Sequence, residues 1–299
     1  MDESPHVPVL LESVVELLAV RPGGLYVDGT LGWGGHASAV LAAGGRLVGT
    51  DRDPDALAAA RARLGPDVEL HHARFSALPA LLGGRRADGI LLDLGVSSPQ
   101  LDRPERGFSF RAVGPLDMRM DPTVGEPVWA WLDHVGADEL ADVLWRYGDE
   151  RASRRIARTI VARRAEPEVE PLRTTRQLAE LVASVVPADG RIHPATRTFQ
   201  ALRIHVNDEL GELERALAAL PECLAPGGRL VVISFHSLED RAVKLRFREL
   251  AGEGGERDLF GRAVHTPGFR LVERKARKGD DDANPRARSA RVRALERIA

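Results

Sequence analysis

A chain of 299 residues, 43% of them hydrophobic, can bury a sizeable core, and its length implies two domains or one large one. The net charge of −2 excludes bulk attraction to nucleic acid, so any such binding has to come from local patches. A single cysteine, Cys223, excludes a disulfide framework and a cysteine-rich metal site, and no apolar run reaches the roughly 18 residues of a membrane span, so a cytoplasmic protein without membrane contact is expected.

In chain order, apolar runs predict strands over 25–27, 47–50, 68–72 and 89–94, with helical patterns over 9–18, 37–42 and 54–64. Such alternation implies a doubly wound, mostly parallel sheet. The rhythm then stops. A long stretch separates Leu94 from the next strand pattern at 229–235, where a crossover needs only about a dozen residues. A second, helical piece is therefore expected there, with helices over 137–147, 150–164 and 174–186 and Pro194 at a helix start. Ala201, Leu202, Val206, Leu210, Leu213 and Leu217 keep helical spacing, and we expect that stretch to return to the sheet as the crossover helix. Residues 252–282 read as a polar surface loop with a strand near 269–272.

The segment after the first strand reads Val27-Asp-Gly-Thr-Leu-Gly-Trp-Gly-Gly-His36, and Asp51 ends the next apolar run. A strand, a glycine-rich turn and a helix start make the front half of a nucleotide-cofactor site. Glycines let the backbone approach a ligand, and free N–H groups at the helix start can hold an anion. Asp51 is placed to accept from two ribose hydroxyls. Gly32, Gly34 and Ala37 also fit the dinucleotide spacing, so NAD and S-adenosylmethionine both remain open. Asp28 favours the second: a carboxylate beside the turn repels a pyrophosphate but attracts a sulfonium and an ammonium.

Asp93-Leu-Gly-Val-Ser-Ser-Pro-Gln100 follows a strand and so lies at the carboxyl edge of the sheet. Asp93, Ser97, Ser98 and Pro99 could accept the N–H groups of an exocyclic amine there; a capped turn that starts a helix is the alternative. His236 could act as a base and Phe235 could stack on a nucleobase, while Ser237 with Asp240 reads as a helix cap. Arg197 and Arg203 could meet phosphate or pair with acids, and Asp117 could contact substrate or close a loop salt bridge. Arg151, Arg154, Arg155, Arg158, Arg163 and Arg164 form a run without an acid, a candidate phosphate-tracking face. Arg286, Arg288, Arg291 and Arg293 suggest a strand with basic side chains toward solvent. Cys223 is badly placed for a cysteine adduct, which favours attack by an amine or oxygen over carbon chemistry. His71 and His72 would face opposite ways in a strand, and no metal is predicted.

Taken together, residues 26–36, 88–101, Glu105-Arg-Gly-Phe-Ser-Phe110, Pro115-Leu-Asp-Met-Arg-Met-Asp-Pro122, His193 to Gln200, Ile233 to Arg241 and Asn284 to Ser289 resemble the bacterial 16S ribosomal RNA cytosine-N4 methyltransferases. His6 to Glu12 resembles that family's start, so the likeness runs over nearly the whole chain. It implies a class I (Rossmann-like) methyltransferase fold with an inserted helical domain, expected at 111–200 between methyltransferase parts at 1–110 and 201–299. It implies methyl transfer from S-adenosylmethionine to N4 of a cytidine in the decoding region of 16S rRNA in the small ribosomal subunit; a homodimer stays open. Gly34, Gly35, His36, Asp51, Phe75, Asp93 and Gln100 match the family's cofactor positions. The residues that assist the reaction are not settled by the resemblance; Asp93, Ser98 and His236 are the candidates, with Ser97, Pro99, Asp117, Arg197 and Phe235 for substrate. Between Val272 and Asn284 the chain is more charged than the family pattern leads one to expect.

Overall fold

The computed structural model describes residues 8–187, 190, 192–254, 267–279 and 287–298. It divides into two compact units, Met1–Gly95 with Leu210–Ala299, and Val96–Glu209. The first unit opens with α1 (Leu11–Leu18), β1 (Leu25–Asp28), α2 (Gly35–Ala42), β2 (Arg46–Asp51), α3 (Pro54–Leu64), β3 (Glu69–His72), α4 (Leu78–Leu82) and β4 (Ala87–Asp93). The second unit is helical: α5 (Ser98–Asp102), α6 (Val128–Leu132), α7 (Ala137–Gly148), α8 (Ser153–Ala165), α9 (Thr175–Val185) and α10 (Thr196–Asn207). The chain then continues through α11 (Glu209–Ala219), β5 (Leu224–Ser234), α12 (Ser237–Leu250), β6 (Phe269–Leu271), β7 (Arg277–Lys278) and β8 (Arg291–Arg297).

The first unit is built on one sheet of order β3-β2-β1-β4-β5-β8-β6, with β7 also paired to β8. Strands β1 to β5 pair in parallel, and β8 runs antiparallel to β5, β6 and β7. The cause is in the inner strands. Ile90-Leu91-Leu92 and Leu230-Val231-Val232-Ile233 are continuous apolar runs buried on both faces, the pattern of a sheet covered by helices on each side. Successive residues alternate faces. Val27, Ile90, Leu92, Leu230 and Val232 enter one core layer with Leu213, Leu217 and Phe247, whereas Tyr26, Leu91, Val231 and Ile233 enter the other with Val14, Leu17 and Val40.

The helical unit has its own core, in which Leu140 and Leu144 of α7, Ile156 and Ile160 of α8, Leu178 and Val182 of α9 and Phe199 and Leu202 of α10 meet Leu116 and Met118. Arg106, itself buried, donates to the carbonyls of Arg119 and Met120, and Asn207 donates to Met118 O while accepting from Met120 N–H. These bonds hold the 116–121 loop around Met118, whose φ of 64° is unusual for a residue with a side chain.

Three expectations differ from the structure. The units part at Gly95/Val96 and Glu209/Leu210 rather than at 110/111 and 200/201, because Val96, Leu101, Phe108, Phe110, Ala201 and Leu202 all pack into the helical core. The single crossover helix is two: Asp208 adopts a left-handed conformation, φ 50°, which ends α10 before α11 begins. The fifth strand starts at Leu224, not 229, because Ala87 pairs with Leu224 and Gly89 with Arg229 across a bulge that carries the Pro-Gly-Gly.

Candidate active site

Three neighbouring parallel strands each end in an aspartate at the same edge: Asp28 on β1, Asp51 on β2 and Asp93 on β4. This is the carboxyl edge, where doubly wound sheets bind ligands. The turn after β1 is fastened to its neighbours: Gly29 N–H donates to Leu91 O, Leu31 N–H to Thr50 O, and Thr50 Oγ1 to Gly29 O at 3.1 Å. Thr30 accepts the Asp93 N–H on its hydroxyl at 2.6 Å, which ties the end of β4 to the turn. Its own N–H donates to Asp28 Oδ1 at 3.1 Å.

The glycines divide into two kinds. A Cβ on Gly29 would strike Leu92 at 2.6 Å and the Phe75 Cβ at 3.0 Å, and one on Gly35 would strike Pro8 at 2.5 Å, so these make room for protein. Gly32 is different. Its surroundings are open, its φ is +51°, and its N–H donates to Asp51 Oδ2 at 2.7 Å. Asp51 Oδ1 takes the Asp53 N–H at 2.8 Å. A carboxylate has about four acceptor positions, so Asp51 keeps capacity for two hydroxyls. Burial pushes its carboxyl up to about 6 against these bonds.

Asp28 is 3% exposed, and burial pushes its carboxyl up to about 7, with His36 opposing and Asp93 and Asp51 adding to the rise. His36, on the first turn of α2, is also buried, and its Nε2 lies 3.6 Å from Asp93 Oδ2. Among the described residues, neither ring nitrogen of His36 has a hydrogen-bond partner, nor does the buried Asp93 Oδ1. Buried polar atoms are nearly always satisfied. A group of orphaned acceptors and donors beside an ionisable cluster is a place built for a polar ligand. Its chemistry fits the amino-acid end of S-adenosylmethionine, and Asp51 fits the ribose of the same molecule. Phe75 stands partly buried at the start of a 3₁₀ turn (Phe75–Ala77) beyond β3 and packs against the core layer that contains Leu78 and Leu92.

His236 is the N-cap of α12. Its Nδ1 accepts the Glu239 N–H at 3.4 Å, and Glu239 Oε2 accepts the N–H groups of Phe235 and His236 at 2.8 and 3.3 Å. The cap pair is therefore His236 with Glu239, not Ser237 with Asp240. Asp240 instead binds Arg291 and Arg293 of β8; Arg291 stays exposed while Arg293 is largely covered, and Arg286 lies outside the described residues. His71 pairs with Glu69 and His72 with Arg52 O, each on its own partner. The Cys223 thiol is pushed up by burial, which disfavours the nucleophilic thiolate.

In the helical unit, Ser97 is the N-cap of α5 in a capping box with Gln100: the Gln100 Oε1 accepts Ser97 N–H at 3.0 Å and Ser97 Oγ accepts Gln100 N–H at 3.4 Å. The Gln100 side-chain oxygen thus serves the cap. Ser98 and Pro99 form the first turn of the helix. Asp117 is held by both Nε and Nη2 of Arg119 at 2.7 and 2.8 Å, the loop salt bridge rather than a free substrate contact. Arg197 donates to Asp149 O, and Arg203 is bound by Glu209 through two bonds. Arg164 is occupied by the carbonyls of Leu132 and Val135 and Arg163 by that of Glu170. Arg151, Arg154, Arg155 and Arg158 are exposed, and among the described residues no acid or carbonyl takes their guanidinium groups.

A sheet of this order with a reversed strand beside β5, and a glycine turn and acidic β2 end at its carboxyl edge, defines a class I methyltransferase. Residues 3–298 match the MraW methylase family, and the chain belongs to that family. It is 56% identical to a protein of Thioalkalivibrio sulfidiphilus called Ribosomal RNA small subunit methyltransferase H, over 98% of each chain. A protein of the same name from Xanthomonas euvesicatoria pv. vesicatoria is 52% identical over 98% of this chain and 89% of that one. Among solved structures, an rRNA methylase from Streptococcus thermophilus aligns over 99% of this chain and all of its own, with 11% identity and a TM-score of 0.43, too loose a likeness to add to the assignment.

Thr30 was not expected at the site, nor was Glu212, on α11, expected to accept from Ser76 in the Phe75 turn. Thr30 sits in the glycine turn, where a hydroxyl that reaches a neighbouring strand has a sequence signal only in its position. Glu212 had none: it follows Leu210 and precedes Leu213 like an ordinary charged flank of an amphipathic helix.

Proposed function

We propose that the protein transfers a methyl group from S-adenosylmethionine to N4 of a cytidine in the decoding region of 16S rRNA. The observation that carries this reading is a full-length identity above one half with relatives called Ribosomal RNA small subunit methyltransferase H, in a chain whose sheet edge has the polar set Asp28, His36, Asp51 and Asp93. When bound, the donor supplies a methyl carbon on a positive sulfonium, already activated for transfer. Asp51 holds the ribose hydroxyls, Phe75 walls the adenine, and His36 with Asp93 takes the amino-acid end.

What remains for the chain is orientation and the fate of a proton. Cytosine N4 is a poor nucleophile because its lone pair is conjugated with the ring. Acceptors for its N–H groups raise the lone pair out of conjugation, and alignment contributes several kcal/mol. Asp93 is the acceptor we assign for the proton. His236 uses Nδ1 to accept a backbone N–H, and its Nε2 faces Glu239 Oε1 at 3.1 Å, so both ring nitrogens serve the cap and it is not assigned as base. A base paired in a duplex cannot enter such a site, so the target is an unpaired or flipped cytidine. The exposed arginines of α8 hold phosphate.

NAD is the competing cofactor, and titration separates the two. S-adenosylmethionine is expected to bind the purified chain, with binding lost in Asp51→Ala and NAD showing none. Saturable NAD binding without donor binding would overturn the reading.

A further inference from the structure

Glu212 is a carboxylate in an unexpected place. It lies in the first turns of α11, only 1% exposed, yet it belongs to neither an ordinary surface pair nor an apolar layer. Its Oε1 accepts the Ser76 N–H at 2.8 Å and its Oε2 accepts the Ser76 hydroxyl at 3.0 Å. Arg215 donates to Oε2 at 2.9 Å, and Arg74 stands 4.0 Å away. Burying a carboxylate is costly unless it is paired and hydrogen-bonded. Here that cost is met by two bonds from Ser76, the residue after Phe75, and one from Arg215.

Phe75 is where those bonds matter. Ser76 follows it and is bound by the carboxylate through both its N–H and its hydroxyl, while Arg74, which precedes it, stands at ion-pair distance. The Phe75 Cβ approaches within 3.0 Å of where a Cβ on Gly29 would stand, so the turn is pressed against the glycine loop after β1. A short 3₁₀ turn has few bonds of its own. Its backbone at Ser76 depends on an outside acceptor.

We infer that Glu212 is a positioning residue for the donor: it fixes the Arg74–Ser76 turn and thereby the wall that Phe75 presents to adenine. The inference rests on the donor reading above. Glu212 touches no reacting atom, so it acts on donor affinity and leaves the chemical step alone. A carboxylate that only capped the turn for folding would alter stability without regard to Phe75.

A double-mutant cycle on donor affinity separates these. Wild type, Glu212→Gln, Phe75→Ala and the double variant are titrated with S-adenosylmethionine, and turnover is measured at saturating donor. Glu212→Gln is expected to weaken donor binding about tenfold with kcat unchanged, as the loss of charged hydrogen bonds predicts. In the Phe75→Ala background the same change is expected to cost less than about twofold. Should Glu212→Gln fail to fold, Ser76→Ala removes a single bond and is expected to weaken donor binding about threefold, again only when Phe75 is present. Equal losses with and without Phe75, or a fall in kcat with affinity unchanged, would overturn the inference while leaving the donor reading intact. Absence of donor binding by wild type would overturn both.

Discussion

Asp28 and Asp51 carry the sharpest residue-level consequence. Both carboxyls are pushed up by burial, to about 7 and about 6. They therefore hold protons more tightly in the folded chain than in the unfolded one, and the ligand-free protein loses stability as pH rises from near 4 through 6 and 7. A donor with a sulfonium and an ammonium reverses the preference, since it favours the ionised forms. Donor affinity is expected to weaken as pH falls through about 7 and then 6, and titration calorimetry across that window checks it. In Asp28→Asn the upper part of the profile should flatten; an unchanged profile would remove Asp28 from the cation's surroundings. Asp51→Ala deletes acceptors for two hydroxyls, each worth about 1.5–3 kcal/mol, so a loss of at least about hundredfold in donor affinity is expected. A loss below tenfold would mean that the ribose is held elsewhere.

At the scale of elements, α8 carries Arg154, Arg155 and Arg158 exposed and, among the described residues, without an acid partner. Arg85, Arg173, Arg203, Arg229 and Arg277 are all paired with acids. Replacing Arg154, Arg155 and Arg158 together by Ala should weaken binding to 16S rRNA and reduce the slope of log affinity against log salt by roughly 2 to 3, with thermal stability unchanged. A salt slope equal to wild type would reassign these arginines to a solvated face. The cap of α12 gives a stability test: Glu239→Ala frees two buried N–H groups and should cost about 1–2 kcal/mol in chemical denaturation. Elements with local punctuation were legible in the sequence. α3 is bounded as expected because Asp53 caps it, Pro54 opens it and Gly65 stops it. β5 was misread at its start because Pro226-Gly227-Gly228 reads as a turn, and only pairing with β4 on both sides of the bulge makes it strand. The cap at His236 was missed because a ring nitrogen replaced the usual hydroxyl or carboxylate oxygen. Within the site, the three strand-end aspartates were visible because they end apolar runs, whereas Glu212 reaches the Phe75 turn from 136 positions away in the chain, a proximity no local pattern encodes.

At the scale of the whole molecule, the proposed reading gives donor binding to the sheet edge and RNA binding to the helical unit, whose exposed arginines lack acid partners among the described residues. No helix among the described residues is long and apolar enough to cross a membrane, and a substrate in the small ribosomal subunit places the protein's work in the cytoplasm in the proposed reading. In the proposed reading methyl passes from S-adenosylmethionine to a cytidine N4 of 16S rRNA. The most direct measurement is transfer of labelled methyl to small subunits that lack the modification, followed by digestion and nucleoside analysis. The account predicts label in N4-methylcytidine with wild type and none with Asp51→Ala. Label in any other nucleoside, or no label on RNA from a chain that binds the donor, would contradict it.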